Sequence, residues 1–416
     1  MSDKPSALGH LKVLDLSRVL AGPWCTQMLA DLGADVVKVE RPVAGDDTRH
    51  WGPPFLKDVQ GKDTTQASYY TATNRNKRSI TLDLAHPDGQ AIIRKMALQS
   101  DILVENFKVG GLKPYGLDYE SLKAINPRLI YCSVTGFGQD GPYAERAGYD
   151  LMIQAMSGMM SITGRADGVP GGGPQRVGVA LTDLFTGVYA CSAILAALEV
   201  RNRTGVGQQI DMALLDVGMA ILANQAAGFL NTGKVPQRQG NSHPSLAPYQ
   251  DFPTADGSML LAIGNDGQFS RFCHAAGKPE WAADARYAGM AGRVTHRGTL
   301  IPAMEEVTRT RTTAQWISLL EDKAVPCGPI NDLGQAFDDA QVKARHLVVN
   351  QPLSPVVAAQ SAIESIASVA SPLRLMATPP VLNRPPPALG EHTDEVLAEL
   401  GLDSAQIAAL RQTGVV

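Results

Sequence analysis

The first half of the chain alternates short apolar runs with stretches of helical spacing. Short apolar runs bounded by turn residues are typical of buried strands, and their alternation with helices predicts a parallel sheet covered on both faces. The predicted strands are Leu11–Leu16, Val36–Glu40, Ser79–Leu84, Asp101–Phe107 and Leu129–Thr135. The predicted helices are Pro23–Leu32, Pro87–Gln99, Tyr149–Met156 and Asp183–Arg201.

The pattern changes near Asn231. Asn231–Pro248 is rich in Gly, Pro, Asn and Ser, as loops are. The apolar run Met259–Ile263 and the helical stretch Gln268–Ala276 then predict a smaller α/β unit. Pro352–Pro387 is rich in Pro and Ser but too apolar in patches for a disordered linker. A last helix is predicted at Thr393–Leu400.

Composition is that of an ordinary globular protein. With 416 residues, a formal net charge of −4 and 44% hydrophobic residues, the chain has room for two domains and no electrostatic basis for binding nucleic acid. No apolar run of the length that spans a bilayer, and no signal or transit segment, is evident. The five cysteines are scattered without a Cys-x-x-Cys pair, which disfavours a zinc site or disulfide framework. We therefore expect a cytoplasmic protein with no metal, nucleic acid or membrane partner.

The most informative residue is Asp183. It is the only acid between Asp167 and Glu199, and the apolar stretch Val188–Leu198 follows it. Asp is a residue type that opens helices, so we expect Asp183 near a helix N-terminus, where free N–H groups and the helix dipole favour its ionised form. Such a carboxylate either caps a buried helix or acts as a nucleophile that forms a covalent acyl intermediate. Local spacing does not choose between the two.

The loop after the first predicted strand lacks a dinucleotide-binding fingerprint. It reads Ser17-Arg18-Val19-Leu20-Ala21-Gly22-Pro23, without Gly-x-Gly-x-x-Gly. The phosphate-binding glycines of a nicotinamide-dependent dehydrogenase are therefore missing, and that class of enzyme is disfavoured.

Eight segments, in order along the chain, resemble the class III CoA-transferases. They are Arg18–Pro23, Val37–Pro42, Gly45–Arg49, Asn74–Ser79, Val104–Phe107, Ala147–Asp150, the Asp183 segment and Gly390–Thr393. The resemblance extends essentially from Leu11 to Val416. It implies an α/β fold: a Rossmann-like large domain built from both chain ends, a small middle α/β domain, and a ring-shaped subunit in an interlocked homodimer. Residues 1–215 would form the first part of the large, CoA-binding domain, 216–330 the linker and small domain, and 331–416 the return segment.

The family's catalytic aspartate falls on Asp183. The resemblance implies an enzyme that has no tightly bound cofactor and uses CoA esters and small carboxylic acids as substrates. Asp183 would form an aspartyl–acyl anhydride and then an aspartyl–CoA thioester. A carboxylate suits this chemistry because a mixed anhydride passes its acyl group on without ATP, provided that water is excluded.

The resemblance also implies a set of CoA contacts, which lie at or just beyond predicted strand ends, where open α/β sheets bind ligands. Judged alone, an arginine such as Arg41 is more often a solvated surface charge, and a phenylalanine such as Phe107 is more often a core residue. The full set is Val19, Leu20, Ala21, Arg41, Leu82, Asp83, Ala85, Asn106, Phe107, Lys108 and Tyr149.

Two segments, Gly45–Phe55 and Gly240–Tyr249, resemble the branch that moves CoA between succinyl-CoA and dicarboxylic acids such as glutarate. A dicarboxylate needs a cation or N–H donors for its distal carboxylate, and His243 is the candidate. A lone loop histidine is, however, more often exposed or structural.

Formyl-CoA and oxalate are disfavoured as substrates. The formyl-CoA transferases carry a lid of four consecutive glycines that the corresponding segment here lacks. They also carry an arginine at the position of Pro114 and a lysine at that of Ala147. Whether the adjacent Lys113 or Arg146 replaces those charges stays open.

Two alternatives remain beside the transferase. The first is an acyl-CoA racemase of the same fold, in which a histidine removes a proton. The position of that histidine falls on Tyr149. A phenol has an ordinary pKa of about 10, so Tyr149 is a poor base at neutral pH. A non-catalytic CoA-binding protein would keep the CoA contacts and lose the nucleophile, so the presence of Asp183 counts against it.

Overall fold

The computed structural model describes residues 6–416. The strands, in chain order, are β1 (Lys12–Asp15), β2 (Asp35–Glu40), β3 (Phe55–Lys57), β4 (Asp63–Ala67), β5 (Lys77–Thr81), β6 (Ile102–Glu105), β7 (Ile130–Thr135), β8 (Gln209–Ala213), β9 (Tyr249–Pro253), β10 (Ser258–Ala262), β11 (Cys327–Pro329), β12 (Val348–Pro352) and β13 (Ser365–Val369).

The helices, in chain order, are α1 (Ala21–Asp31), α2 (Ser68–Thr71), α3 (Pro87–Gln99), α4 (Tyr119–Ile125), α5 (Asp150–Met156), α6 (Met159–Ile162), α7 (Leu181–Thr204), α8 (Leu214–Ala220), α9 (Ala223–Thr232), α10 (Asp266–Ala275), α11 (Pro279–Ala283), α12 (Met290–Thr295), α13 (Arg297–Thr308), α14 (Thr313–Glu321), α15 (Leu333–Asp338), α16 (Ala340–Ala344), α17 (Pro355–Ala358), α18 (Thr393–Glu399) and α19 (Ser404–Gln412). Single-turn 3₁₀ helices lie at Asp47–His50 and Lys113–Tyr115.

A six-stranded sheet in the order β5-β2-β1-β6-β7-β8 is the centre of the larger unit. Every neighbouring pair in it is parallel, as the alternation of apolar runs and helices predicts. The five strands predicted in the first half are all present. The edge strand β8 was not predicted, because its polar residues Gln209 and Asp211 alternate with the others and break the apolar run.

Two apolar layers cover the faces of this sheet. One contains Leu14, Val37 and Ile80 from the strands and packs under α3, α4, α18 and α19. The other contains Val13 and Val36 and packs under α1 and α7. Adjacent strand residues point to opposite faces, so burial of both faces explains why consecutive residues such as Val13 and Leu14, or Val36 and Val37, are apolar.

The chain forms two compact units. The larger contains the described residues up to Ser157, together with Val177–Ala226 and Arg345–Val416. The smaller contains Gly158–Arg176 and Ala227–Ala344, with the antiparallel sheet β11-β10-β9. The predicted boundaries, at residues 215/216 and 330/331, differ from those of the two units. Helix α8 packs on α5 and α7 within the larger unit, and α15 and α16 belong to the smaller unit.

Helix α7, which begins two residues before Asp183, is the longest element. Its 24 residues are long and apolar enough to cross a membrane by length and composition, a segment that the sequence analysis did not find. Core helices of soluble proteins share these properties, and α7 packs closely on α1: a Cβ added at Gly187 would lie 2.8 Å from the carbonyl oxygen of Ala21. Glycine at this position therefore allows the close crossing.

Candidate active site

The strand order changes direction between β1 and β6. The chain runs from β1 to β2 and β5 on one side, and through β6, β7 and β8 on the other. Open parallel sheets bind ligands at the carboxyl ends of the strands at such a point. The two loops that leave these strands are joined here, because Asn106 accepts a hydrogen bond from the Arg18 N–H at 3.0 Å and donates one to the Arg18 carbonyl at 2.7 Å.

A cavity of about 330 Å³ opens at this point, and Asp183 lies in its wall. The structure brings most of the residues predicted to contact CoA to the same cavity. They are Val19, Leu20, Ala21, Asn106, Phe107, Lys108 and Tyr149.

A second cavity, of about 310 Å³, contains the remaining predicted contacts Arg41, Leu82, Asp83 and Ala85. Phe107 and Arg18 line both cavities. The two cavities are therefore neighbours that share these side chains, and a path from one to the other has Asp183 towards one end and Arg41 towards the other.

Asp183 occupies the first turn of α7 but does not cap it. The N-cap position is Ala180, and the acceptor for this helix end is Asp150, whose Oδ1 accepts from the Thr182 N–H at 2.9 Å and the Thr182 hydroxyl at 2.6 Å. Burial, and the nearby negative charge of Asp150, raise the pKa of Asp183 to about 7. The expectation that the helix dipole favours the ionised form is therefore wrong in its net effect, because desolvation and a like charge outweigh the dipole.

The loop between β1 and α1 is strained at Val19. This β-branched residue has φ of 72°, a left-handed conformation that costs about 1–3 kcal/mol and persists only where the surroundings impose it. Asp46 holds the Val19 N–H, at 3.2 and 3.3 Å from its two carboxylate oxygens. The fully buried Lys38 in turn bonds Asp46 at 2.9 Å and the Ser17 carbonyl at 2.8 Å. Burial opposes the charge on Asp46, but Lys38 lowers the pKa of Asp46 to about 2.

A second buried ion pair supports the other end of the same loop. Lys77 Nζ lies 3.1 Å from Asp15 and donates to the Pro23 carbonyl at 3.0 Å. Asp15 also accepts from the Ser17 N–H at 2.9 Å. Burial lowers the pKa of Lys77 to about 8, although Asp15 opposes the shift. The loop that lines the Asp183 cavity is thus held by charges that have no access to solvent.

Basic side chains lie along the path between the cavities. Asp47 is shared by Arg18, at 2.9 Å, and by the exposed Arg41, at 3.6 Å. Lys113 and Arg146 are the two cations adjacent to the positions where the formyl-CoA transferases carry charges. Arg146 lines the Asp183 cavity and stacks on Tyr143, 4.5 Å from the ring centre. Lys113 lies exposed at the 3₁₀ turn.

His243 belongs to the smaller unit. Its ring packs against Tyr249 with 5.3 Å between ring centres, and its Nδ1 accepts a hydrogen bond from the Ser245 N–H at 3.0 Å. The neutral ring consequently carries its proton on Nε2, which is the donor that a ligand carboxylate requires.

Sequence reasoning missed several residues of the larger unit's cavity. Arg18 and Trp51 line it, and Trp51 packs edge-on against Tyr69 at 5.3 Å. Both residues lie in segments that resemble the family, but nothing in the local sequence indicates that their side chains point into the cavity. Within residues 6–416, no group of three or more His, Cys, Asp or Glu side chains is placed to hold a metal ion.

The sequence is similar to those of known proteins over nearly its whole length. The sequence matches CoA-transferase family III over residues 8–393. It is 50% identical over 403 residues to a succinate–glutarate CoA-transferase of Agrobacterium fabrum, covering 96% of this chain and 98% of that one. It is 42% identical over 410 residues to the succinyl-CoA:glutarate CoA-transferase of Homo sapiens, covering 98% and 90%.

A solved structure is similar over nearly the whole chain. The crystal structure of a CAIB/BAIF family protein from Brucella suis superposes with a TM-score of 0.83 at 47% identity, over 96% of this chain and all of that one. Both the sequence match and the superposition span the two compact units. The chain therefore belongs to CoA-transferase family III.

Proposed function

We propose that this protein transfers CoA from succinyl-CoA to a free C4–C6 dicarboxylate, with Asp183 as the nucleophile. The observation that carries the proposal is the position of Asp183 in the wall of the cavity that also contains most of the predicted CoA contacts. The family and the substrates in the names of the similar enzymes support it.

In the first half-reaction, an Asp183 oxygen attacks the thioester carbonyl of succinyl-CoA. The C–S bond breaks, and CoA leaves as the thiolate with the negative charge that the carboxylate had carried. The thiolate then attacks the aspartyl carbonyl of the anhydride and releases succinate, which leaves an aspartyl–CoA thioester. Two acyl substitutions replace one difficult exchange.

The second half-reaction runs in reverse with the acceptor. The acceptor carboxylate attacks the aspartyl–CoA thioester, expels the thiolate and forms a new anhydride with Asp183. Attack of the thiolate on the acceptor carbonyl yields the new CoA ester and restores the Asp183 carboxylate. No net charge, proton or water is consumed, so the site has to bind two acids in turn and exclude solvent.

We propose that CoA lies along the path formed by the two cavities. Arg41, with a side chain that is 63% exposed, would contact the nucleotide end, and the backbone of Val19–Ala21 would face the part nearer the thioester. Asn106, Phe107 and Lys108 would form the opposite wall. In this proposal the larger unit is the Rossmann-like CoA-binding domain, completed by the C-terminal return segment.

We also propose an interlocked homodimer of ring-shaped subunits. The observation in its favour is the outer face of α7, where Phe185, Val188, Tyr189 and Leu195 are exposed at helical spacing. A contiguous apolar face of this kind on one helix is a candidate for burial by a second copy. Light scattering should give a mass of two chains at all dilutions, and a mass of one 44.2 kDa chain would contradict the proposal.

The experiment that tests the function is a matrix of acyl-CoA donors against free carboxylic acids, read by mass spectrometry of the CoA esters. Asp183→Asn and Asp183→Ala should abolish transfer, because neither side chain forms an anhydride. Asp216→Asn, which changes an exposed acid in the first turn of α8, is the matched control and should retain it. Transfer by either Asp183 variant at the wild-type rate would refute the assignment, and preference for formyl-CoA with oxalate would refute the substrate class.

A further inference from the structure

The N-terminus of α7 is held by a side chain from another helix. Asp150, the first residue of α5, bonds both the backbone N–H and the hydroxyl of Thr182 through Oδ1, and the same atom lies 3.4 Å from the Asp183 N–H. A capping acceptor usually comes from the residue just before the helix. Here it comes from 33 residues away, so the turn that carries the nucleophile has a fixed position against α5.

Asp150 is itself held from both sides. Gln154 Nε2 donates to its Oδ2 at 2.7 Å, and the other end of that amide accepts from the Val177 N–H at 2.9 Å. Just upstream, Gly148 passes the backbone of Gly136 so closely that a Cβ on either would lie within 2.5 Å of the other's Cα. The start of α5 is therefore fixed against the end of β7 and against the segment leading into α7.

The bonding pattern of Asp150 is that of an ionised carboxylate. Every group that faces it in these contacts is a donor, from Thr182, Asp183 or Gln154. A fixed negative charge therefore lies beside the nucleophile. The other ionisable side chains around Asp183 are Tyr69, whose pKa is raised by burial and by these two acids, and the cavity residues Arg18, Asp47, Lys108, Arg146 and Tyr149.

Acylation and protonation have the same effect on the charge of Asp183. When Asp183 attacks a thioester, its negative charge moves to the departing thiolate, and the anhydride or thioester that remains is neutral. A neighbouring negative charge therefore disfavours the free carboxylate and favours every covalent intermediate. The same carboxylate fixes the backbone turn from which Asp183 attacks.

We propose that Asp150 is a positioning residue for the nucleophile, which holds the first turn of α7 and uses its charge to favour the acylated form of Asp183 over the free carboxylate. This inference rests on the proposed function. It assigns to Asp150 two separable effects, one from its hydrogen bonds and one from its charge.

Asp150→Asn separates them. An amide oxygen still accepts from Thr182, the amide nitrogen that replaces Oδ2 loses only the Gln154 bond, and the charge is lost, so the pKa of Asp183 should fall. With succinyl-CoA and glutarate as substrates, kcat above pH 8 should fall several-fold, because the free carboxylate of Asp183 is no longer destabilised by a neighbouring negative charge. The activity ratio of variant to wild type should rise as the pH decreases, because the variant keeps Asp183 ionised in more acidic solution.

The covalent intermediate gives a second readout. Enzyme mixed with succinyl-CoA alone and quenched in acid should show the mass of the chain plus CoA less one water. Asp150→Asn should lower the fraction in this form several-fold, with KM for succinyl-CoA changed less than twofold. Asp118→Asn is the matched control and should change neither readout. Asp118 is the N-cap residue of α4 and accepts a hydrogen bond from the Ser121 hydroxyl at 2.5 Å, but it lines neither cavity.

Asp150→Ala removes both effects and should lower the melting temperature as well as kcat. If Asp150→Asn keeps the wild-type kcat, the same pH profile and the same fraction of intermediate, the inference is overturned. A fall in kcat that is equal at every pH and follows the melting temperature would also overturn it, because a purely structural role predicts that result. Failure of the wild-type enzyme to transfer CoA would instead refute the proposed function.

Discussion

Replacement of Asp183 by Asn should make the protein inactive and more stable, by an amount that depends on pH. The unfolded chain ionises Asp183 near the ordinary pKa of 3.8, whereas the folded protein keeps the proton until about pH 7. The folded state therefore binds this proton more tightly, and the carboxyl group lowers stability progressively as the pH rises between those two values.

The magnitude follows from the two pKa values. A rise of about three units at about 1.4 kcal/mol per unit corresponds to about 4 kcal/mol. Solvent reaches part of this half-buried side chain, so screening reduces the figure to about 2 kcal/mol. The free energy of unfolding of Asp183→Asn should consequently equal that of the wild type below about pH 4 and exceed it by this full amount above about pH 7. For a chain of this size, the difference corresponds to a few degrees in Tm.

The assay is a thermal melt of both proteins at intervals from pH 4 to pH 8.5. The difference in Tm between the Asp183→Asn variant and the wild type, plotted against pH, should rise through this interval and then become constant. Asp216→Asn should give a small difference, of opposite sign, because an exposed acid in a first helical turn is favourable. A difference for Asp183→Asn that is independent of pH, or negative at pH 8, would refute the reasoning.

Three further predictions concern binding. Arg41→Ala should raise KM for CoA esters more than it lowers kcat, since the contact is remote from the reacting carbonyl; an unchanged KM would make Arg41 a surface charge only. Gly187→Ala should push the Ala21 carbonyl out of place and raise KM for succinyl-CoA at least several-fold, whereas Gly228→Ala, with open space at its Cβ, should leave kinetics unchanged. His243→Ala should raise KM for dicarboxylates about tenfold and leave monocarboxylates of equal length unaffected, and a uniform change for both would exclude His243 from the distal carboxylate.

The sheet was predictable because its strands are buried on both faces. β1, β2 and β6 each contain consecutive apolar residues, such as Val13-Leu14 and Val36-Val37, and α3 has the predicted ends, Pro87 and Gln99. The predicted family membership is confirmed by the match across residues 8–393. The candidate CoA contacts came from the family resemblance alone, and the structure brings them to two adjoining cavities.

The electrostatics of the site were not predictable from local sequence. The protonation behaviour of Asp183 depends on Asp150, 33 residues earlier, and no periodicity relates two such positions. The same holds for Val19, whose backbone conformation depends on Asp46 and Lys38 in another segment. Helix-terminus rules consider only neighbouring residues, so they predicted a stabilised anion where the folded chain places a destabilised one.

A residue near the end of the chain supports the second cavity from behind its lining. Val415 is fully buried, and its carbonyl accepts a hydrogen bond from the Asp83 N–H at 2.8 Å. Asp83 lies in the segment Leu82–Ala85 that lines the second cavity. A change at Val415 that moves this carbonyl therefore removes a backbone hydrogen bond from the wall of that cavity. Substitutions at Val415 should consequently change kinetic constants as well as stability, although this residue lines neither of the two cavities.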